Sequence, residues 1–248
     1  MRRLSFVLLV TCCVTIGISA RALSQEYGYS QGNAPALHEW QGLYGGAHVG
    51  GAWGSSSASD SGGVNTLTDY WSAAPSGVVA GVQLGYNWRN GPLLYGVEGD
   101  LGYLGLAGSA TTTYVPLGYD TSTQTDTDFY MTLRGRLGYI YGQWAFYATG
   151  GYIGADTTVS IVESCDGIIC GPFTVSGSNS SFRSGWTLGG GIEGDLGGPW
   201  TAKVEYLYYD LGSRDVTTNA GGIVNTWKVE TDGSLVRAGL NYRFTTPY

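Results

Sequence analysis

The chain has 248 residues, of which 42 are Gly, 19 Tyr and 8 Trp, and only 12% are charged, against about a quarter in soluble domains. Its 12 Lys and Arg against 19 Asp and Glu give a net charge of −7, which argues against nucleic-acid binding because a phosphate backbone requires a basic surface. The 43% hydrophobic content is too high for a disordered chain.

The first 22 residues have the pattern of a secretory signal peptide. A basic start, Arg2 and Arg3, precedes an uncharged apolar run over 4–19 and the sequence Ala-Arg-Ala at 20–22, which predicts cleavage after Ala22. An uncleaved membrane anchor is the alternative, but the run is shorter than the about 20 residues that a spanning helix needs. Residues 23–39 have no clear periodicity and are predicted to be a flexible periplasmic leader.

From Trp40 onward, apolar and polar residues alternate in runs of about ten residues bounded by turn residues, which is typical of strands. Eight such runs are predicted, at 42–53, 77–88, 93–104, 128–140, 144–155, 182–196, 200–211 and 234–244. The connections alternate between three tight turns and four long loops rich in Ser, Thr, Gly and Asp. The turns are at 89–92, 141–143 and 197–199, and the loops at 54–76, 105–127, 156–181 and 212–233. In an antiparallel sheet all the long loops fall at one end, as in transmembrane β-barrels.

One face of these strands is apolar, and its bulky aromatic residues gather near the strand ends, as at Trp88, Tyr95 and Trp200. Such residues form belts at the two interfaces of a membrane-spanning barrel. The opposite face is expected to be non-aromatic and rich in Gly, and its charges balance at five acids and five bases. These ten residues are Glu98, Asp100, Arg134, Arg136, Glu193, Asp195, Lys203, Glu205, Arg237 and Arg243. Unpaired buried charges are costly, so the balance indicates a paired charge network in a narrow lumen.

A soluble barrel is the alternative, because alternation alone does not say which face points inward. In a secreted eight-stranded ligand-binding barrel the apolar face would line a cavity and the charges would face water. The aromatic belts and the balanced charges favour the membrane barrel.

Three segments carry a resemblance to a known family: 40–46, with the pattern W-x-G-x-Y-x-G, then 81–88 (GVQLGYNW) and 236–244 (VRAGLNYRF). In them the chain resembles the small outer-membrane β-barrel proteins of Gram-negative bacteria, the porin family of OmpA-like domains and opacity or immunogenic surface antigens. The resemblance implies an all-β, eight-stranded antiparallel up-and-down transmembrane β-barrel over 40–244, with short periplasmic turns, four long extracellular loops and a place in the cell outer membrane. Residues 245–248 would be a short C-terminal extension.

The resemblance also implies partners. The last strand alternates apolar residues and ends in Tyr242 and Phe244, similar to the signal read by the outer-membrane β-barrel assembly machinery, with periplasmic chaperones delivering the chain. Such chains usually stop at the aromatic residue, whereas this one continues through 245–248. Outer-membrane lipids and lipopolysaccharide would surround the barrel. No host-surface or envelope partner is identified.

The cysteines and histidines give little support for chemistry. Cys165 and Cys170 lie close together in the third long loop, and in an exported protein such a pair favours a disulfide over two free thiols. A metal site needs more ligands than this pair supplies. His48 shares the lumen face of the first strand and is the one plausible catalytic base, but an enzyme would usually need Ser or Asp within its reach. No catalytic residue, metal or cofactor is predicted.

These features predict a structural surface barrel that contributes to envelope integrity and displays acidic loops. Eight strands leave an interior just filled by side chains, so a wide pore is not expected. One alternative is a narrow porin-like channel for small solutes or ions, opened by rearrangement of the lumen charges. The other is the soluble secreted barrel.

Overall fold

The computed structural model describes residues 40–60, 70–114, 119–165, 173–220 and 223–244. The predicted signal peptide, leader and C-terminal extension lie outside these residues. Within the described part of the chain, no helix is long and apolar enough to cross a membrane.

The described residues form one closed antiparallel sheet. Each long strand pairs with the next along the chain, and the last pairs back with the first. A short additional strand, β2, pairs with the far end of β1. The strands are β1 Gly42–Asp60, β2 Tyr70–Ala73, β3 Ser76–Asn90, β4 Leu93–Tyr114, β5 Tyr119–Tyr141, β6 Trp144–Cys165, β7 Phe173–Gly197, β8 Trp200–Ala220 and β9 Ile223–Phe244. The eight long strands confirm the predicted all-β, up-and-down barrel.

Glycines make the three tight turns at one end of the barrel, which we call the turn end. Gly91, Gly142 and Gly198 have φ angles of 60°, 59° and 62°, in the left-handed region that residues with a Cβ seldom adopt. The predicted turns are therefore at the positions where the chain can reverse within two residues. Both Trp40 and Phe244, the first and last described residues, lie at this end.

At the opposite end, which we call the hairpin end, the strands are longer than expected. They have up to 25 residues, and pairing continues to Tyr114↔Tyr119, Cys165↔Phe173 and Ala220↔Ile223. The segments predicted as long loops are therefore mostly paired strands, and that expectation was wrong. Hydrophobic alternation stops where the outer surface ceases to be apolar, but backbone pairing and the β-propensity of Thr carry the sheet further.

The outer surface of the barrel exposes large apolar side chains in a continuous band bordered by aromatic residues. Trp88 stacks on Tyr95 with 5.9 Å between ring centroids, and Trp200 meets Tyr242 edge-on at 5.1 Å. The belt at the turn end contains Trp88, Tyr95, Tyr139, Tyr141, Trp144, Trp200, Tyr242 and Phe244, and that at the hairpin end contains Trp53, Tyr103, Phe129, Tyr152, Phe182 and Trp186. An exposed apolar surface of this extent marks contact with lipid or a partner.

The interior is packed in three levels. The hairpin-side layer is apolar and consists of Ala52, Val79, Leu104, Leu106, Tyr130, Ile153, Ala155, Leu207, Tyr209, Leu211 and Leu235. The turn-side cluster is also apolar and consists of Trp40, Leu94, Ile140 and Ala145. Between them lies the polar middle of the lumen, which holds the candidate site.

Candidate functional site

The middle of the lumen contains eight buried charged side chains, four acids and four bases, each at most 3% exposed. We call this set the lumen network. Its members are Glu98, Asp100, Arg134, Arg136, Glu193, Lys203, Glu205 and Arg237. Eight of the ten residues singled out from the sequence thus come together as one neutral group.

Strand alternation and register bring opposite charges together. Residues two apart on a strand share a face, so each pair Glu98 and Asp100, or Arg134 and Arg136, points inward. The register then sets acid against base across neighbouring strands, at Glu98↔Arg134, Glu193↔Lys203 and Glu205↔Arg237. Directly opposed residues interact most strongly in a sheet, which makes these three pairs the basis of the network.

Glu98 is the point where the most bases meet. Lys203 Nζ lies 2.8 Å from Glu98 Oε2 and Arg134 Nη2 lies 2.5 Å from Oε1, while Arg136 Nη1 lies 3.4 Å from Oε2. The hydroxyl of Tyr44 donates to Oε2 at 2.8 Å. One carboxylate therefore contacts these three cations, which come from two strands, β5 and β8.

A second set of contacts joins Arg237 to the acids Glu205 and Asp100. Arg237 Nη2 lies 2.5 Å from Glu205 Oε2 and 3.2 Å from Asp100 Oδ2. Arg134 reaches the same two acids, at 3.1 Å from Glu205 and 2.8 Å from Asp100. Thr132 also donates to Asp100. Each of the three arginines Arg134, Arg136 and Arg237 has more than one acid within 4 Å, so the charges form a connected network and not isolated pairs.

Glu193 forms the part of the network nearest the turn end. It accepts from Arg136 Nη2 at 2.7 Å, from the Thr201 hydroxyl at 2.5 Å and from Asn241 Nδ2 at 2.8 Å. The Arg136 guanidinium also lies 4.0 Å from the centroid of the Tyr147 ring. Buried ions are tolerated only with such additional hydrogen bonds.

Four tyrosines face the lumen, contrary to the expectation of a non-aromatic interior: Tyr44, Tyr130, Tyr147 and Tyr209. Glycines directly opposite in register on the neighbouring strands make room for two of them. A Cβ at Gly85 would lie 2.3 Å from the Tyr44 hydroxyl, and one at Gly191 would lie 2.6 Å from that of Tyr147. Their strand parity was the signal that could have identified them, since each is two residues from another inward position.

The remaining two predicted residues, Asp195 and Arg243, form a separate ion pair at the turn end, with 2.9 Å between Arg243 Nη2 and Asp195 Oδ2. The Arg243 guanidinium lies 5.8 Å from the ring centroid of Trp40. Trp40 is 2% exposed and packs in the turn-side cluster, where it covers the end of the lumen. In the sequence, Trp40 stands out only as the first residue of the W-x-G-x-Y-x-G pattern.

His48 lies between the lumen network and the hairpin-side layer. Its Nδ1 lies 2.5 Å from Gln83 Oε1, and its Nε2 lies 2.5 Å from the Tyr130 hydroxyl and 3.3 Å from Arg237 Nη1. The ring thus bridges polar wall residues. Among the described residues there is no group of three or more His, Cys, Asp or Glu side chains that could hold a metal ion.

The remaining predicted site residues lie at the two ends of the barrel. Tyr242 and Phe244 point outward in the turn-end belt, 38% and 50% exposed. Cys165 ends β6, but Cys170 lies outside the described residues, so the proposed disulfide stays a prediction. The assembly role of Tyr242 and Phe244 also stays a prediction.

The family comparison agrees with this architecture. Residues 11–244 match the family model described as outer membrane protein beta-barrel domain. The chain is 33% identical over 171 residues to the 31 kDa outer-membrane immunogenic protein of Brucella melitensis, covering 68% of this chain and 67% of that protein. It is 28% identical over 250 residues to the 25 kDa outer-membrane immunogenic protein of Brucella abortus, covering 98% and 100%.

The outer membrane protein OprG from Pseudomonas aeruginosa aligns with a TM-score of 0.49 at 15% identity, over 83% of this chain and 98% of that one. Together with the closed barrel and its exposed apolar band, the family match places the protein in the outer membrane of a Gram-negative bacterium. The chain belongs to the outer membrane β-barrel family that includes the Brucella outer-membrane immunogenic proteins.

Proposed function

We propose that the protein is a non-conducting structural barrel that contributes to envelope integrity and displays acidic hairpins at the cell surface, without enzymatic activity. The observation that supports this most is the neutral lumen network enclosed between two apolar levels. Four acids and four bases compensate one another, and neither apolar level offers ions a polar route.

The energetics favour a lumen that stays closed. Separating a buried ion pair leaves uncompensated charges, which costs about 3–5 kcal/mol. A conducting path would have to separate such pairs and also move apolar side chains at both levels. An interior filled by side chains is typical of small eight-stranded barrels.

The acidic surface is carried by side chains at the hairpin end. Asp156, Asp215 and Glu230 are exposed there, and Lys228 Nζ lies 3.3 Å from Glu230 Oε1. We propose that this surface stays hydrated and faces lipopolysaccharide and the cell exterior, as the immunogenic names of the Brucella relatives suggest.

A deletion strain tests the structural role. We expect loss of the gene to increase sensitivity to bile salts and to large antibiotics that an intact outer membrane excludes. Restoring the wild-type chain should restore resistance. Complementation with Arg134→Ala/Arg136→Ala should fail if the folded barrel is what matters. Unchanged sensitivity of the deletion strain would contradict the proposal.

A narrow channel is the second candidate, and one observation favours it. Arg134 and Arg237 each lie within 4 Å of the same three acids, Glu98, Asp100 and Glu205, so partners can exchange without leaving a charge unpaired. Swelling of protein-loaded liposomes in small sugars separates the candidates. Swelling above that of empty liposomes supports the channel. The absence of such swelling supports the structural barrel.

A further inference from the structure

One buried cation lies outside the lumen network and has no acid partner among the residues that the structure describes. Arg183, on β7, is 5% exposed and points inward with Thr187 and Glu193. It lies on the hairpin side of Trp186, beyond the apolar band. Its one hydrogen bond within the described chain is from Nη1 to Thr231 Oγ1, at 2.8 Å.

The donor capacity of Arg183 is largely unused. A guanidinium has five N–H donors, and the buried Nε of Arg183 has no hydrogen-bond partner. Among the described ion pairs none includes Arg183, whereas Arg134, Arg136, Lys203 and Arg237 each have at least one carboxylate within 4 Å. An uncompensated buried charge is unfavourable, so Arg183 is the exception that requires an explanation.

A second arginine increases the positive charge at this point. Arg214 pairs in register with Val229, which is buried, so Arg214 also faces the inside of the barrel. Its own side chain is exposed at the mouth, and its charge acts on Arg183. Two like charges on the neighbouring strands β7 and β8, with no ion-paired acid among the described residues, favour an anion between them.

Hydroxyl groups complete the polar lining. Ser56 is 1% exposed, its Oγ has no partner, and it lies opposite Thr231 in the register of β1 and β9. The floor below is the hairpin-side layer. The described acids of this region point the other way: Glu230 and Asp232 flank the inward Thr231 and so lie on the outer face.

We propose that Arg183, Arg214, Thr231 and Ser56 form a binding site for a tetrahedral oxyanion at the hairpin-end mouth of the barrel. Guanidinium groups bind phosphate and sulfate through paired, charge-assisted hydrogen bonds, and the hydroxyls add further donors. The mouth faces the exterior in this family, so the anion is either a free ion or a phosphate carried on a glycan. The site does not depend on whether the lumen conducts.

Thermal unfolding in detergent tests the site. The refolded full chain is heated in sodium phosphate or in sodium chloride of equal ionic strength, and folding is followed by the mobility of unboiled samples on a gel. We expect phosphate to raise the Tm in a saturable manner and Arg183→Gln to abolish that rise. Lys228→Gln, which removes the same charge from the outer face of the same end, should keep it.

The variants also separate binding from a structural role. In chloride, Arg183→Gln should be at least as stable as the wild type, because it removes an uncompensated charge while Gln can still donate to Thr231. Arg214→Gln should raise the phosphate concentration for half-maximal shift by about tenfold, the effect of one charge-assisted hydrogen bond. A wild type that does not respond to phosphate, or an Arg183→Gln variant that responds fully, would overturn the proposal.

A sugar phosphate identifies the source of the anion. If glucose 6-phosphate raises the Tm of the wild type but not of Arg183→Gln, the site admits a phosphate attached to a glycan. If only inorganic phosphate does so, the site takes the free ion. Both results support an oxyanion site, and an equal response of Arg183→Gln to either compound counts against it.

Discussion

Lys203 and Glu98 are joined across the full diameter of the barrel. Lys203 lies on β8 and Glu98 on β4, which are fourth neighbours in a ring of eight long strands, yet Lys203 Nζ lies 2.8 Å from Glu98 Oε2. A contact between opposite walls requires a lumen narrow enough for two side chains to span it. This ion pair therefore shows that side chains fill the middle of the barrel from one wall to the other.

Removing the charge of Lys203 should destabilise the barrel strongly. Lys203→Met keeps the length of the side chain but leaves Glu98 and its neighbours with excess negative charge, and we expect the free energy of unfolding to fall by about 3–5 kcal/mol. Urea unfolding of the detergent-solubilised protein measures this. The matched control is Lys228→Met, which breaks an exposed pair with Glu230 and should cost about 0–1 kcal/mol. Equal effects of the two substitutions would contradict a desolvated network.

Two arginines of the network should also be needed for stability. Arg134→Ala/Arg136→Ala removes two positive charges from the neutral set, and we expect a clear fall in the denaturation temperature. The temperature at which the unboiled band is lost from a gel gives the comparison with the wild type. An unchanged temperature would disprove pairing in the lumen.

A neutral double substitution should be less harmful than its parts. Glu205 and Arg237 lie opposite each other in register and are 2.5 Å apart, so replacing either alone unbalances the network. Glu205→Gln/Arg237→Met leaves three acids and three bases, and we expect a favourable coupling energy of about 0.5–3 kcal/mol. Four urea titrations complete the double-mutant cycle. Strict additivity would mean that charge balance does not govern stability.

The fold could be predicted from the sequence because the strands, the turns and the inward face each leave a visible pattern of residues. Period-two alternation located the strands, the glycine turns located one end, and charges at inward positions such as Arg134 and Glu98 were visible as the minority face. The ion-pair and hydrogen-bond partners of each lumen side chain could not be predicted, since contacts across the lumen depend on register and barrel shear. Trp40 was missed because it precedes the first strand and has no alternation.

The alternation pattern also failed to predict the full strand lengths and the inward position of the tyrosines. Beyond the apolar band both faces of a strand are polar, so the sequence loses its alternation while the backbone stays paired to Tyr114 and Tyr119. Tyr44 and Tyr147 are large amphipathic residues that suit a lipid interface and a polar lumen equally well. Only the space above Gly85 and Gly191 decides their place.

The glycine opposite Tyr44 should not tolerate a methyl group. A Cβ at Gly85 would lie 2.3 Å from the Tyr44 hydroxyl, whereas a Cβ at Gly99, on the neighbouring strand and the outer face, would meet nothing closer than 3.7 Å. We expect Gly85→Ala to lower the free energy of unfolding by about 1–3 kcal/mol, as overpacking does. Gly99→Ala should have a much smaller effect in the same urea titration. The reverse order would show that the lumen can yield at Tyr44.

Trp40 should stabilise the barrel without controlling its conductance. Trp40→Ala leaves a cavity in the turn-side cluster, and we expect a loss of about 3–5 kcal/mol in the free energy of unfolding. Trp88→Ala, in the exposed belt, is the control and should cost less. Because the lumen network lies beyond Trp40, the Trp40→Ala protein should still carry no current. Current through the Trp40→Ala protein but not through the wild type would show that Trp40 blocks the lumen.

Single-channel recording in a planar bilayer tests the filled lumen most directly. The refolded wild-type protein is added at neutral pH, and a shift in gel mobility between unboiled and boiled samples shows that it is folded. We predict no stable current steps from the folded, inserted wild type. Regular steps of defined conductance would contradict the account and would make the lumen network the wall of a channel.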